Sequence, residues 1–368
     1  MSELQELADR LVSHNFAYQG GRFVLMYEER NKDIAEFVAN SIIQFPPRVG
    51  NPLLLVNIDE YRQGHPLTEL PDSLVDRIQS HFVPDQPENN TLVFINSVLA
   101  EEIATFAKII DLAKPYGRVG NLNGCNAKVL EVAANPMNNP DFVLELADFV
   151  RHETGVIITD NLGTNLTLLF DQQYKVVVSD GVLKLATKDG KTQGVFANAM
   201  PAEVYTFPAQ ADGVAVFACG YTLLYVHAAY DNNRQKLFDD FRATPLTWHI
   251  SDGRITDINC ANPTIFGFLT EKIMELDPIY GMHVGEIGFP ANLYMLQGFL
   301  IGNSFADEKG RFHLCNGHGH PDLTGSPYNS PVHGDALFLE VSVFSLRLND
   351  FFVLNNHYLP KYFQSLRH

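Results

Sequence analysis

Apolar positions in the first third of the chain recur with two periods. Leu4, Leu7, Ala8 and Leu11 fall at helical spacing and predict an opening helix. The run F-V-L-M-Y at 23–27 predicts a buried strand, and Ile34, Phe37, Val38 and Ile42 form the stripe of a helix over about 32–44. L-L-L-V at 53–56 gives a second strand, and D-S-L-V-D-R-I-Q-S-H-F a second helix behind a Pro-Asp-Ser start. T-L-V-F-I at 91–95 is a third strand, leading to a helix around 98–113 that carries Leu99, Ile103, Phe106 and Ile110 on one side. Short apolar runs between helical patterns predict a parallel sheet with helices on both faces. G-R-V-G-N-L-N-G at 117–124 lacks the dinucleotide spacing, and no helix pattern follows it directly, so nucleotide binding is not expected.

The pattern changes near residue 154. Short β-like runs follow: V-I-I-T, L-T-L-L-F, K-V-V-V, L-K-L-A, V-Y-T-F, V-A-V-F and L-L-Y-V, separated by S-D-G, K-D-G-K and A-D-G turns. Helices are expected near 231–241 and 290–299, then V-G-E-I-G and one final alternating strand, A-L-F-L-E-V-S-V-F-S-L. The expected fold class is therefore α/β plus α+β. A parallel α/β domain over 1–153, Rossmann-like in pattern but without a nucleotide motif, precedes a β-rich catalytic domain over 154–368.

Composition narrows the function classes. The chain has 368 residues, and 26 basic against 43 acidic side chains give a formal charge of −17 with no Lys/Arg run, which argues against nucleic acid as partner. The surplus acid fits plain solubility, or a negative field that draws in cations and the ammonium ends of peptides. Cys125, Cys219, Cys260 and Cys315 show no C-x-x-C spacing, so neither a disulfide framework nor a thiolate zinc site is expected. The acidic, amphipathic start is unlike a signal peptide, and no apolar stretch is long enough to span a bilayer. The expected location is cytoplasmic.

Candidate metal ligands crowd one segment. Between Glu308 and Asp335 lie His313, His318, His320 and His333, four of the thirteen histidines. Imidazole with carboxylate suits zinc, manganese, iron or cobalt. His333 and Asp335 stand two apart at the mouth of the final strand, so both can face one ion, although Pro331 and Gly334 also fit a surface turn. Lys309-Gly310 reads as a two-residue hairpin turn, pairing Glu308 with Arg311 and His313 with Ala306 and bringing Glu308 and His313 to one face. An exposed hairpin with a Glu–Arg pair fits the same residues. Glu203 opens an otherwise apolar run, and Glu286 sits between Gly285 and Gly288. A carboxylate in such company is a turn residue or a buried charge that needs a counter-ion. His227, Trp248 and His249 read as packing residues. His318 and His320 read as outer ligands or substrate contacts.

In their local contexts, P-A-E-V-Y-T-F-P, G-E-I-G-F-P-A-N, D-E-K-x-x-x-H and S-P-V-H-G-D, with G-T-N-L-T-L-L-F before them, these residues resemble the dinuclear metallo-aminopeptidases typified by aminopeptidase T and aminopeptidase S. The resemblance runs in order from about 156 to 335. It implies two divalent ions (zinc, manganese or cobalt) held by Glu203, Glu286, His313, His333 and Asp335, with Glu308 as a further ligand or general base. It also implies a homodimer and peptide hydrolysis by a metal-activated water; with the charge balance and the lack of an apolar span, no membrane or nucleic-acid partner is expected. His320 stands where a typical member has tyrosine, so the catalytic pair expected here is Glu308 and His320. The spacing from His313 to His333 is shorter than usual and that from Glu203 to Glu286 longer. The related 2,5-dihydroxypyridine dioxygenases, with one Fe(II) on the same scaffold, give the alternative: ring opening of a hydroxylated aromatic, to which the extra histidines are suited. A non-catalytic peptide-binding descendant is a third reading.

Overall fold

A computed structural model describes residues 2–45, 52–98, 102–200, 203–221, 239–240, 243–298, 301 and 304–367. The chain divides into two compact units, Met1–Pro136 with Gly181–Pro201, and Met137–Asp180 with Ala202–His368.

In the first unit the strand order is Leu53–Asn57, Arg22–Tyr27, Asn90–Phe94, Arg118–Asn121, Lys191–Asn198 and Lys184–Lys188. The first five run parallel, and the last closes the sheet antiparallel. Val24, Met26, Leu92, Phe94 and Val119 belong to one core cluster with Leu74, Ile78 and Phe106 of flanking helices, the continuous burial that a helix-covered parallel sheet requires. The expected helices appear as Glu3–Arg10, Lys32–Gln44, Asp72–His81 and Ile103–Ala113; residues 99–101 of the last expectation lie outside the described residues. The glycine-rich stretch 117–124 holds a strand, and helix Ala127–Ala134 begins soon after it, capped by Asn126, whose Oδ1 accepts from the Val129 N–H.

The division differs from the expected boundary at 153/154 in two places. Helix Pro140–Arg151 belongs to the second unit, where Phe142, Val143 and Leu146 join the large core. Residues 181–201 return to the first, because Val119, Gly120 and Asn121 pair with Phe196, Ala197 and Asn198.

The second unit carries two antiparallel sheets. The larger runs Arg254–Asn259, Leu246–Ser251, Gln210–Phe217, Asn165–Leu169, Gly155–Thr159, Ser342–Ser345, Asp350–Leu354, His357–Tyr358. The other, which bears the candidate site, runs Gly220–Tyr221, His333–Leu337, His313–Gly317, Val284–Pro290, Glu203–Thr206, Val177–Ser179. Both give apolar side chains to one cluster, with Leu166, Ala215 and Trp248 from the first and Val204, Ile287, Phe289, Leu314 and Ala336 from the second.

Several expectations are corrected here. A-L-F-L-E-V-S-V-F-S-L is two strands in different sheets, His333–Leu337 and Ser342–Ser345, since buried Phe338 and Val341 anchor the bend between them. Over the described residues 290–298, the helix expected at 290–299 is only a short turn, Met295–Gln297, which Gly298 ends at φ +99°. Helical turns over 263–276 were not legible as such. Of the helix expected at 231–241 only 239–240 are described, and they are helical. Strand L-L-Y-V and His227 lie outside the described residues. Trp248 is buried, as packing requires, whereas His249 is exposed. Among the described residues no helix is long and apolar enough to cross a membrane.

Candidate metal centre

Side chains alternate across a strand, so pairing register determines which residues share a face. Here Glu203 lies opposite Pro290, Tyr205 opposite Gly288, and Gly288 opposite His313. Glu286 lies opposite Cys315, Cys315 opposite Asp335, and Gly317 opposite His333. With Val204, Ile287, Phe289, Leu314 and Ala336 in the core, the opposite face carries Glu203, Tyr205, Glu286, His313, Cys315, His333 and Asp335. The register slips between Val284 and Glu286, which keeps Val284 in the core while Glu286 turns to the site face. Gly285 makes that bulge possible, since a Cβ there would lie 2.7 Å from the Gly317 carbonyl oxygen and 2.8 Å from that of His318.

Glu308 arrives differently from the hairpin expected at Lys309-Gly310. Residues Ser304–Glu308 form a helical turn, and Glu308 ends it. The Lys309 N–H donates to the Ala306 carbonyl (3.1 Å) and the Arg311 N–H to that of Glu308 (3.1 Å). Glu308 and Arg311 are therefore not a cross-strand pair, and Arg311 instead donates to the carbonyls of Gly298 and Leu339. The helical ending sends two consecutive side chains inward. Lys309, only 2% exposed, donates from Nζ to Glu203 Oε1 (2.8 Å) and to Glu308 Oε1.

The seven residues singled out from the sequence meet in this one region. Ligand-type atoms of Glu203, Glu308 and His313 lie within 4.8 Å of one another, as do those of Glu286, His320 and His333, and those of Glu286, His313 and Asp335. A fourth trio, Cys315, His333 and Asp335, brings in a cysteine that the spacing argument passed over. Lys309 was also missed, although it stood inside the D-E-K motif. His333 and Asp335 do face one way, with Nε2 to Oδ1 at 3.5 Å.

The region is strongly charged and largely dry. Glu203 and Glu286 are buried, yet Glu203 Oε2 and Glu286 Oε2 make no hydrogen bond. Each faces an imidazole at 3.3 Å: Nε2 of His313 and Nε2 of His320 respectively. Buried carboxylate oxygens turned toward imidazole nitrogens suit a cation between them, so the donor set fits a divalent metal. Burial works against a charge on His313, but Glu286, Glu203, Asp335 and Glu308 outweigh it and hold its pKa up at about 10. For His333 burial is likewise outweighed, chiefly by Asp335 and Glu286, and its pKa is raised. Burial pushes the Glu308 carboxyl up to about 7, against the Lys309 ammonium and with help from Asp335 and Glu203. Burial lowers the pKa of His320, a pull that Glu286 opposes and His333 aids, so its ring is neutral near pH 7.

His320 also carries backbone strain. It adopts φ +52° and ψ +61° just before the short helix Pro321–Thr324, a conformation that non-glycine residues enter at about 1–3 kcal/mol. Its ring packs 5.4 Å from that of Tyr205 and 4.8 Å from that of His333. His318 lies 4.9 Å from His320, completing three neighbouring imidazoles. A separate cavity of about 460 Å³ beside His152, Lys175 and Thr206 includes none of these residues.

Neither a family model nor a curated protein sequence matches the chain. Its fold, an α/β unit joined to a β-rich unit, is nevertheless shared with solved structures. Over 97% of this chain and 97% of the other, it matches 2,5-dihydroxypyridine dioxygenase from Pseudomonas putida KT2440 with a TM-score of 0.64 and 12% identity. Over 97% and 98% it matches wild-type AmpT from Thermus thermophilus with a TM-score of 0.63 and 13% identity. At these identities the likeness is one of fold.

Proposed function

We propose that the protein is a metal-dependent hydrolase of the aminopeptidase type. The observation that carries this reading is the convergence of Glu203, Glu286, His313, His333 and Asp335 with Glu308 and His320 on one buried, acidic sheet face. The likeness to AmpT is compatible with this reading, as the comparable likeness to the dioxygenase is with the second one below. Glu286, His333 and Asp335 would hold a divalent ion, with His313 and Glu203 adjoining. Such an ion, when bound, supplies acidity to a water and polarises a carbonyl. The chain's own groups would handle the rest. Neutral His320 is placed to take a proton at Nε2, which would then be shared with Glu286 Oε2, 3.3 Å away. The carboxylates favour a substrate's ammonium end, and the burial around them keeps competing water out.

The test is turnover of amino-acid amides and short peptides, with N-acetylated versions as controls, by protein reloaded with zinc, manganese or cobalt. Release of the first residue only from free amino ends is expected, and Glu286→Gln or His333→Ala should abolish it while the protein stays folded. Metal-loaded protein inert toward every free-amino substrate would refute the hydrolase.

One observation favours a second reading. Glu286, His320 and His333 make a two-histidine, one-carboxylate set, the donor pattern of non-heme iron oxygenases. On that reading His320 is a ligand, and the substrate is a hydroxylated aromatic such as 2,5-dihydroxypyridine. Oxygen uptake with Fe(II) and that compound, without amidase activity, would select it.

A further inference from the structure

Four trios of candidate ligands overlap on this face: Glu203, Glu308 and His313; Glu286, His320 and His333; Glu286, His313 and Asp335; and Cys315, His333 and Asp335. Only the first contains the carboxylates that Lys309 reaches. The first already holds a cation. Lys309 Nζ bonds to Glu203 Oε1 and to Glu308 Oε1, and the side chain is as buried as the core. Among the described residues, no Lys or Arg forms an ion pair with Glu286, whose neighbours are His313 and His320.

The backbone fixes this arrangement. Lys309 sits on a turn closed by hydrogen bonds from the 309, 310 and 311 N–H groups to the carbonyls of 306, 307 and 308. Gly310 presses on its neighbour so closely that a Cβ would meet Met295 Cβ at 2.5 Å and the Met295 carbonyl oxygen at 2.9 Å. Arg311 is tied outward to Gly298 and Leu339. With the turn held on both sides, the Lys309 stem points at the carboxylates, and a buried ammonium between two carboxylates is costly to pull away.

We propose that Lys309 supplies one of the two positive centres this acidic face needs, so that the chain binds a single metal ion, on the side of Glu286 and His333, where the resemblance implies a pair. The inference rests on the metal-centre reading and concerns how many ions that centre holds. Lys309 offsets part of the charge of Glu203 and Glu308, and the trios built on Glu286 await an ion. An ammonium provides fixed charge but no open coordination position, so chemistry at the first trio is limited to orienting and electrostatic roles.

The experiment counts ions. Metal-free protein is reloaded with excess Mn(II) or Zn(II), desalted and analysed by elemental mass spectrometry, and the Mn(II) form is examined by electron paramagnetic resonance. Wild type should hold about one ion per chain, with the spectrum of an isolated Mn(II). Lys309→Met, which keeps length and removes charge, should rise to about two, with a spin-coupled spectrum, because Glu203, Glu308 and His313 then lack their ammonium. A coupled pair in wild type overturns the inference while leaving the metal centre standing. A folded Lys309→Met that still holds one ion overturns it as well. If Lys309→Met does not fold, the wild-type resonance spectrum decides alone. Wild type that takes up no ion defeats the metal-centre reading and this inference with it.

Discussion

Gly288→Ala tests how this sheet makes room for its histidine. Gly288 lies directly across from His313, and a Cβ at 288 would come within 2.8 Å of His313 Cδ2 and closer still to Cε1 and Nε2. The imidazole thus lies over the missing side chain of its cross-strand partner. It has little freedom to yield, being 1% exposed, with Nδ1 3.1 Å from the Arg311 carbonyl oxygen and Nε2 facing Glu203 and Glu286. Overpacking a buried site costs about 1–3 kcal/mol. For a domain of roughly 150–250 residues that lowers Tm by about 2–4 °C per kcal/mol, so a fall of about 2–12 °C is expected by differential scanning calorimetry. A displaced His313 should also weaken metal binding by about 10–100-fold, the range seen when a group supporting a ligand is disturbed. Gly267→Ala is the control. Gly267 ends a helical turn at φ −59°, and a Cβ there meets nothing within 4 Å, so alanine should stabilise by about 0.5–1 kcal/mol. If Gly288→Ala melts no lower than wild type and binds zinc equally well, the ring does not lie over Gly288 and the register argument fails.

Two other predictions concern charge. Metal affinity should rise with pH through the neutral range: in the metal-free protein His333, whose pKa Asp335 and Glu286 raise against burial, carries a proton that a metal must displace. Calorimetric titration with zinc in buffers of different ionisation enthalpy should show net proton release, and no release would contradict the charge assignment. In the first unit Arg62 bonds to Glu28 Oε1 at 2.7 Å and to Glu102 through Nε and Nη2 at 2.7 and 2.5 Å, both carboxylates being buried. Arg62→Leu removes the guanidinium they share and should cost about 3–5 kcal/mol in denaturant unfolding.

Most of the first unit was legible because its central strands, Arg22–Tyr27 and Asn90–Phe94, are buried on both faces and its helices on one, so apolar runs and stripes mark them directly. Residues 181–201 were not, since a strand that leaves one unit to join another sheet has the same local pattern as one that stays. The candidate ligands stood out as residue types and as an ordered set, and the i, i+2 rule placed His333 and Asp335 on one face. Local signals failed where tertiary contacts prevail. Lys309-Gly310 is a good hairpin turn by propensity, yet the chain before it winds into a helix whose end is wedged against Met295. Cys315 carried no signal because its meaning lies in its neighbours across the sheet, Glu286 and Asp335.

The helical ending at Glu308 matters more than a misplaced turn. On a hairpin, alternation would put Glu308 and Lys309 on opposite faces, with the ammonium in solvent and the carboxylate alone at the site. On a helix end, successive side chains fan outward by about 100°, so both can enter one pocket. The acidic face therefore carries a counter-charge of its own, and Glu203 and Glu308 can be buried in metal-free protein without both taking up protons. A centre built in this way is partly assembled before any ion arrives. That bears on both functional readings alike: the hydrolase needs one activated water, the oxygenase one open coordination sphere, and neither requires a second ion where Lys309 already stands.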